Sequence, residues 1–112
     1  MRITTRQSGD VAILDMSGKI TIDEGALELR DAVAKTLESG TKNVLLNLAD
    51  VTYVDSSGLG ELVSSYSTTQ NRGGSLKLLA LTLKLRELLT ITRLITVFEV
   101  YDDEQEAVAS FA

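Results

Sequence analysis

The segment from Val44 to Tyr66 constrains the fold of this chain more than any other. It begins with Val44-Leu45-Leu46-Asn47-Leu48, a nearly continuous apolar run that is typical of a strand buried on both faces. A helical stripe follows, because apolar residues recur at i, i+3, i+4 and i+7, namely Leu59, Leu62, Val63 and Tyr66. Since Asp55-Ser56-Ser57-Gly58 lies between the two patterns, the sequence predicts a strand, a turn that carries two serines, and a helix.

Ser56 and Ser57 are therefore predicted at the N-terminus of a helix. The first N–H groups of a helix have no partner within it, and the helix dipole is positive at this end. A hydroxyl held there is presented to solvent, and a phosphate placed on it would meet a favourable site for an anion. This arrangement suits a switch. The simpler alternative is that Asp55, Ser56 and Ser57 serve only to cap the helix.

Apolar periodicity and turn residues predict the other elements of the chain. The predicted strands are Arg2–Arg6, Val11–Met16, Lys19–Ile22, Asn43–Leu48, Ser75–Ala80 and Thr96–Val100. The predicted helices are Glu24–Glu38, the helix from the serine turn to about Asn71, Lys84–Thr92 and a last helix from Asp103. A break at Ser17-Gly18 separates the second strand from the third, and Asp23 and Thr82 are the expected caps of the first and third helices.

The order of these elements predicts the fold class. From the third strand onward, strands and helices alternate, which indicates parallel neighbours joined by right-handed crossovers. The hairpin-like pair at the start adds a mixed edge. We expect an α/β sandwich with a mixed, mainly parallel sheet and about four helices packed chiefly on one face, formed by residues 1–112 as a single domain. Binding sites in such folds gather at the carboxyl ends of strands, where the serine turn lies.

Composition excludes several classes of function. The 112 residues include no Cys and no His, so the chain has no disulfide, no Cys or His metal ligand and no Ser-His-Asp triad. The net charge of −5 is unfavourable for binding nucleic acid or an anionic membrane. No apolar run approaches the ~20 residues of a membrane span, and the N-terminus lacks the apolar core of a signal peptide. We therefore expect a cytoplasmic protein.

The remaining motifs have structural explanations. Asp23, Asp50 and Asp55 are a possible carboxylate metal site, but capping and turn roles explain them more simply, with Asp50 in a turn at residues 49–52. Gly58-Leu59-Gly60 is too short for a dinucleotide fingerprint, and its glycines fit a tight turn and close helix packing. We therefore predict no metal and no cofactor.

Several segments spread over essentially the whole chain carry a family resemblance. They are Val54-Asp55-Ser56-Ser57-Gly58-Leu59-Gly60, the preceding Asn43–Leu48 and Val51–Tyr53, and the flanking Leu14–Ile20, Gly73–Leu78, Leu88–Thr92 and Val97-Phe98. Together these segments resemble the STAS domain of bacterial anti-sigma factor antagonists.

The resemblance implies a function and a set of site residues. Ser57 matches the family's phosphoacceptor, which is modified by an anti-sigma factor that is also a serine kinase. The unphosphorylated protein would bind this kinase and free a sigma factor, phosphorylation would end the binding, and a PP2C-type phosphatase would restore it. The residues expected at the partner surface are Thr21, Asp23, Asp55, Ser56, Gly58, Leu59 and Gly60. Thr21 stands where relatives commonly have an acidic residue, and Asp23 follows two positions later.

A second hypothesis is that the chain has the same fold but is a scaffold subunit that phosphorylation does not switch. STAS-like domains also serve as scaffold parts of stressosomes or of lipid-transport complexes. Five apolar residues cannot all face one core and leave a possible docking surface: Leu81, Leu83, Ile91, Leu94 and Ile95. Within the third helix, the buried stripe is predicted at Leu85, Leu88 and Leu89, with Leu83 at least partly exposed. We expect no enzymatic activity under either hypothesis, since no general base is evident beside the serines.

Overall fold

The computed structural model describes residues 1–112 as a five-stranded sheet with four α-helices and one short 3-10 helix. The elements are β1 (Arg2–Ser8), β2 (Val11–Ile20), α1 (Ala26–Glu38), β3 (Asn43–Val54), α2 (Ser56–Asn71), β4 (Ser75–Leu79), α3 (Leu83–Ile91), the 3-10 helix (Leu94–Thr96), β5 (Val100–Tyr101) and α4 (Glu104–Ala109). The strands lie in the order β1-β2-β3-β4-β5, with β1 antiparallel to β2 and all other neighbours parallel. The predicted mixed, mainly parallel sheet is confirmed.

The helices cover the two faces of the sheet unequally, as predicted. On one face, α1, α2 and α3 pack over a cluster of 18 buried residues that includes Leu14 and Leu46. On the other face, α4 places Ala107 against a smaller cluster that includes Ile13 and Leu45. Successive side chains of a strand point to opposite faces, so neighbours in sequence belong to different clusters. Burial on both faces is the reason that these strands are almost continuously apolar.

β2 continues through the predicted break at Ser17-Gly18. Gly18 has a φ of 116°, and the pairing with β3 shifts register on both sides of this dipeptide. These shifts are β-bulges, at which a glycine supplies the unusual backbone conformation while the strand goes on. The separate strand predicted at Lys19–Ile22 is therefore wrong. Lys19 and Ile20 end β2, and residues 21–25 form the loop to α1.

β3 also extends further than predicted, to Val54. Asp50 pairs with Ser17 of β2 and is exposed, so the turn predicted at residues 49–52 is wrong. Val51 is buried while Asp50 and Thr52 are exposed, which is the alternation of a strand with one solvent face. The polar residues that favoured a turn are the outward-facing residues of this strand.

The strand predicted at Thr96–Val100 is wrong for most of its length. A 3-10 helix occupies Leu94–Thr96, and β5 consists of Val100–Tyr101 alone. Phe98 is buried and contacts Tyr66 edge to face, with ring centroids 5.4 Å apart. An aromatic contact with α2 therefore holds this segment, in place of a longer run of sheet hydrogen bonds.

The third helix follows its predicted pattern with one exception. Thr82 caps it, since its hydroxyl oxygen accepts a hydrogen bond from the N–H of Leu85 at 3.2 Å. Leu85 and Leu89 are buried and Leu83 is 73% exposed, as predicted. Leu88 is only half-buried, so it lies at the edge of the stripe.

The five apolar residues of this region divide between core and surface. Leu81, Leu94 and Ile95 pack against the main core, whereas Leu83 and Ile91 remain exposed. None of the helices has the length and the apolar character needed to cross a membrane.

Candidate functional site

The candidate site lies at the carboxyl edge of the sheet, where β2 and β3 end side by side. Ile20, the last residue of β2, pairs with Val54, the last residue of β3. From Ile20 the chain passes through the loop Thr21–Gly25 into α1, and from Val54 it passes through Asp55 into α2. The two helices therefore start at the same edge, and their first turns are neighbours.

The carboxylate of Asp55 organises this edge. Its Oδ1 accepts a hydrogen bond from the N–H of Gly58 at 2.8 Å, which caps α2. Its Oδ2 accepts from the N–H of Ile22 at 3.3 Å, and the N–H of Asp55 itself donates to the carbonyl oxygen of Ile20 at 3.3 Å. Asp55 thus joins the serine turn to the loop before α1. Because Asp55 supplies the cap, the hydroxyls of Ser56 and Ser57 are not needed for it.

Two glycines allow both loops to pack onto the end of β2. A Cβ at Gly58 would overlap the carbonyl oxygen of Ile20, and a Cβ at Gly25 would overlap that of Lys19. The close packing predicted for Gly58 is therefore confirmed. The same prediction is wrong for Gly60, because a Cβ there would meet open space. Gly60 leaves an opening on the surface of α2.

Thr21 and Asp23 lie in the loop before α1. The Thr21 hydroxyl accepts from the N–H of Glu24 and donates to its carbonyl oxygen, both at 3.1 Å, which folds the loop into a turn. Asp23 is exposed in this turn and does not cap α1, contrary to the prediction. The cap position is Gly25, whose N–H donates to the Glu28 carboxylate at 3.2 Å. The turn places Asp23 too far ahead of the first helical residue to reach its N–H groups.

The carboxylates considered as a metal site do not come together. Asp50 lies within β3, Asp55 caps α2 and Asp23 is exposed in its loop. No group of three or more acidic side chains in the chain is arranged to hold a metal ion.

A shallow groove runs between α1 and α2 from the serine turn. Its volume is about 400 Å³, and its lining residues are Ile22, Ala26, Leu27, Arg30, Ser57, Gly60, Glu61 and Ser64. Ser57 is half-buried against this groove, whereas Ser56 is exposed and is not part of the lining. The two serines therefore differ in their surroundings, because only Ser57 lines the groove between α1 and α2.

Two exposed apolar side chains border the groove and were missed by sequence reasoning. Ile22 is 74% exposed and Leu27 is 59% exposed. Ile22 was predicted to lie in a strand, but β2 ends two residues before it, at Ile20. Leu27 lies off the buried stripe of α1, which is formed by Leu29, Val33 and Leu37. An apolar residue between the polar Thr21 and Asp23 was the available signal for Ile22.

An ion pair links the two helices across the groove. The Glu61 carboxylate is buried, and the Nε and one Nη of Arg30 each lie 2.9 Å from its Oε1. The Ser65 hydroxyl donates to the other carboxylate oxygen at 3.3 Å. A buried carboxylate needs such partners, because its desolvation is otherwise uncompensated. Sequence reasoning also missed this pair, which depends on how α1 and α2 face each other.

Of the other predicted partner-surface residues, Gly58 and Leu59 are buried. Leu59 is only 8% exposed and belongs to the main core, so its side chain is not available to a partner. The accessible residues of the site are Thr21, Ile22, Asp23, Leu27, Ser56, Ser57 and Gly60.

Comparison with known proteins identifies the family. A model of the STAS domain matches residues 2–107. The anti-sigma-B factor antagonist of Bacillus subtilis is 29% identical over 100 residues, which are 89% of this chain and 90% of the relative. The crystal structure of TM1081 from Thermotoga maritima has a TM-score of 0.89 at 26% identity and covers 97% of this chain and 93% of its own.

The fold is also that of the Bacillus cell fate determinant SpoIIAA, solved in its phosphorylated form. That structure has a TM-score of 0.75 at 15% identity and covers 99% of this chain and 100% of its own. Both the family match and the similarities extend over nearly the whole chain. The chain belongs to the STAS domain family, among the anti-sigma factor antagonists.

Proposed function

We propose that this protein is a phosphorylation-switched antagonist of an anti-sigma factor that is itself a serine kinase. The unphosphorylated chain binds the kinase and frees a sigma factor. Phosphorylation of Ser57 ends the binding, and a PP2C-type phosphatase restores it. The observation that carries the proposal is the position of Ser57, in the first turn of α2 and against the groove, while Asp55 supplies the cap.

The position of Ser57 suits a regulated hydroxyl. It lies where the first N–H groups of α2 and the positive end of the helix dipole favour an added anion. The cap bond from Asp55 to Gly58 keeps the turn in place whether or not the hydroxyl is modified. A phosphate therefore changes the surface without requiring the helix to unfold.

The surroundings of Ser57 explain why a phosphate would prevent binding. Ile22 and Leu27 present exposed apolar area on the groove, of the kind that a protein partner covers. A phosphate adds about −1.5 to −2 charges beside this apolar area. Burying that charge against a surface without matching cations is costly, so the complex would dissociate.

The proposed contact surface is centred on Ser57 and includes residues of both loops. Its members are Thr21, Ile22, Asp23, Leu27, Ser56, Ser57 and Gly60. Gly58 and Asp55 act indirectly, since they hold the two loops together at the end of β2. The open space at Gly60 lets a partner approach α2 closely next to Ser57.

The protein then acts by binding and is a substrate of its partners, with no catalysis of its own. We place it in the cytoplasm, where sigma factors bind RNA polymerase. The name of the Bacillus subtilis relative, an antagonist of an anti-sigma factor, and the phosphorylated form of SpoIIAA support this proposal.

The experiment that tests the proposal uses a kinase-like anti-sigma factor from the same organism. The two proteins are mixed with ATP, the mass of this chain is measured, and complex formation is followed by size-exclusion chromatography. We expect the mass of one added phosphate and loss of the complex as phosphate accumulates. No phosphate transfer, or a complex that survives full phosphorylation, contradicts the proposal.

The scaffold hypothesis has one observation in its favour, the exposure of Leu83 and Ile91 on α3. In that alternative, these residues form a fixed docking surface and Ser57 is not modified. The two functions differ in which surface binds, so Leu83→Ser would abolish assembly in the scaffold and leave kinase binding intact in the switch.

A further inference from the structure

Arg30 is the only basic side chain that lines the groove beside Ser57. Its guanidinium lies 2.9 Å from Oε1 of Glu61, yet the Arg30 side chain remains 66% exposed. Glu61 follows Ser57 by four residues, so the two side chains are neighbours on one face of α2. The ion pair thus fixes a positive charge within about one helical turn of the Ser57 hydroxyl.

The direction of the two helices favours a contact between Arg30 and a group on Ser57. α1 and α2 both begin at the carboxyl edge of the sheet, and long helical side chains lean toward the N-terminus of their own helix. This general direction favours an approach of the Arg30 guanidinium to Ser57, which lines the same groove. Both of its contacts with Glu61 are to a single oxygen, so part of its five N–H donors stays available.

We infer that Arg30 binds the phosphate of phosphorylated Ser57 within the same chain. This inference rests on the proposed phosphorylation of Ser57. A phosphate offers three strong acceptor oxygens, and a guanidinium matches them with two parallel hydrogen bonds. The phosphate then bridges α1 and α2 and is held in the groove that the exposed Ile22 and Leu27 also line.

The second pKa of the phosphate reports whether Arg30 binds it, because the nearby charged groups act on this pKa in opposite directions. Glu61 on α2, Asp55 at the start of α2 and Asp23 in the loop before α1 are acidic, and each disfavours the dianion. Arg30 and the N-terminus of α2 favour it. Removal of Arg30 leaves the N-terminus of α2 as the remaining favourable influence on the dianion, so the second pKa of the phosphate should rise.

The test uses protein with phosphoserine incorporated at position 57 during synthesis, so no kinase is needed. The second pKa of the phosphate is measured by ³¹P NMR in Glu61→Gln and in the double variant Arg30→Gln, Glu61→Gln. Neither variant leaves a buried carboxylate unpaired, and an amide NMR spectrum confirms that both are folded. We expect the pKa to be about 0.5–1 unit higher in the double variant. Equal values in the two proteins would overturn the inference.

A second measurement follows Arg30 directly in the otherwise unchanged chain. The Nε–H resonance of Arg30 should shift between the unmodified and the phosphorylated protein and should titrate with the phosphate. An unchanged resonance counts against the contact between Arg30 and the phosphate.

Failure of this inference can be told apart from failure of the proposed function. If the kinase modifies Ser57 but the pKa values coincide, only the role of Arg30 fails, whereas a kinase that leaves Ser57 unmodified overturns both.

Discussion

The carboxylate of Asp55 accepts a hydrogen bond from the N–H of Ile22, 33 residues earlier in the chain, at 3.3 Å. The same carboxylate caps α2 through Gly58. One side chain therefore fixes the serine turn relative to an exposed apolar residue on the neighbouring loop. A surface held in place before binding loses less conformational entropy when a partner covers it.

Replacement of Asp55 by Ala should weaken both folding and binding. It removes a helix cap, which typically lowers the free energy of unfolding by about 0.5–2 kcal/mol, and it frees the loop at Ile22. Urea denaturation and a binding titration measure the two effects. Asp23→Ala is the matched control for stability, because Asp23 is exposed and caps no helix, and we expect a change within about 0.5 kcal/mol. Equal stability of the two variants would show that the Asp55 contacts are unimportant.

Charge at position 57 should decide binding. Ser57→Asp should abolish or strongly weaken the complex with the kinase, and Ser57→Ala should bind but never be switched off. The Asp variant should remain folded, because a carboxylate in the first turn of a helix is neutral or stabilising by about 0.3–1 kcal/mol.

Ser67→Asp is the matched control for this charge, since Ser67 is exposed on the same helix but lies outside the groove and the proposed contact surface. It should retain most of the affinity. If Ser57→Asp binds as tightly as the unchanged protein, the switch mechanism fails.

The apolar border of the groove should contribute to affinity. Ile22→Ser and Leu27→Ser should each reduce kinase binding while the free energy of unfolding changes by no more than about 0.5 kcal/mol, because both side chains are exposed. Leu83→Ser provides the control, since Leu83 is about as exposed as Ile22 but lies on α3. Binding that is lost in Leu83→Ser and kept in Ile22→Ser would favour the scaffold alternative.

The main core could be predicted from the sequence because its signals are local. The apolar run Val44–Leu48 and the stripe of α2 follow strand and helix periods directly, so the predicted strand-turn-helix unit was correct. Asp55, one of the three residues considered as possible caps of this helix, is the one that caps it. Gly18 shows the limit of such signals. A glycine that ends a strand and a glycine that forms a bulge within one have the same local sequence, and only the pairing with β3 separates them.

The groove itself could not be predicted, because it is a property of two helices. Arg30 and Glu61 are ordinary charged residues of their own helices, and their pairing depends on the packing of α1 against α2. Ile22 alternates with Ile20 in sequence, so it fitted the pattern of a strand. Its exposure results from the end of β2 at Ile20 and from the turn that Thr21 forms with Glu24.

Shortening single leucine side chains of α3 should show which of them lie in the core and which lie at its edge. Leu89 is buried, so Leu89→Ala should lower the free energy of unfolding by about 2–5 kcal/mol. Leu88 is half-buried, so Leu88→Ala should have a clearly smaller effect. Chemical denaturation of both variants checks the order, and a larger loss for Leu88→Ala would contradict the orientation of this helix.

Acid should weaken the attachment of α4. Arg6 of β1 donates to both Asp15 of β2 and Glu104 of α4, with distances of 2.5 Å to Asp15 and 2.7 Å to Glu104. These bonds are the largest cause of the lowered pKa of Asp15 and of Glu104 relative to their ordinary values of 3.8 and 4.5. Because both pKa values are lowered by folding, the stabilisation is present above the ordinary values and is lost as the pH falls through the lowered ones.

The free energy of unfolding should therefore fall more between about pH 6 and about pH 3 in the unchanged protein than in Arg6→Gln. The difference should be modest, because the side chains are partly exposed and such pairs contribute about 0.2–1 kcal/mol each. Urea denaturation at the two pH values measures it. An identical pH dependence in both proteins would show that the ion pairs of Arg6 do not contribute to stability.

Phosphopeptide mapping of the protein after treatment with its kinase-like anti-sigma factor and ATP tests the central claim most directly. Ser56 and Ser57 are adjacent, so fragmentation must assign the phosphate to one of them. Because Ser57 alone of the two lines the groove, we expect one phosphate on Ser57 and none on Ser56. Phosphate found only on Ser56, or on neither serine, would contradict the account.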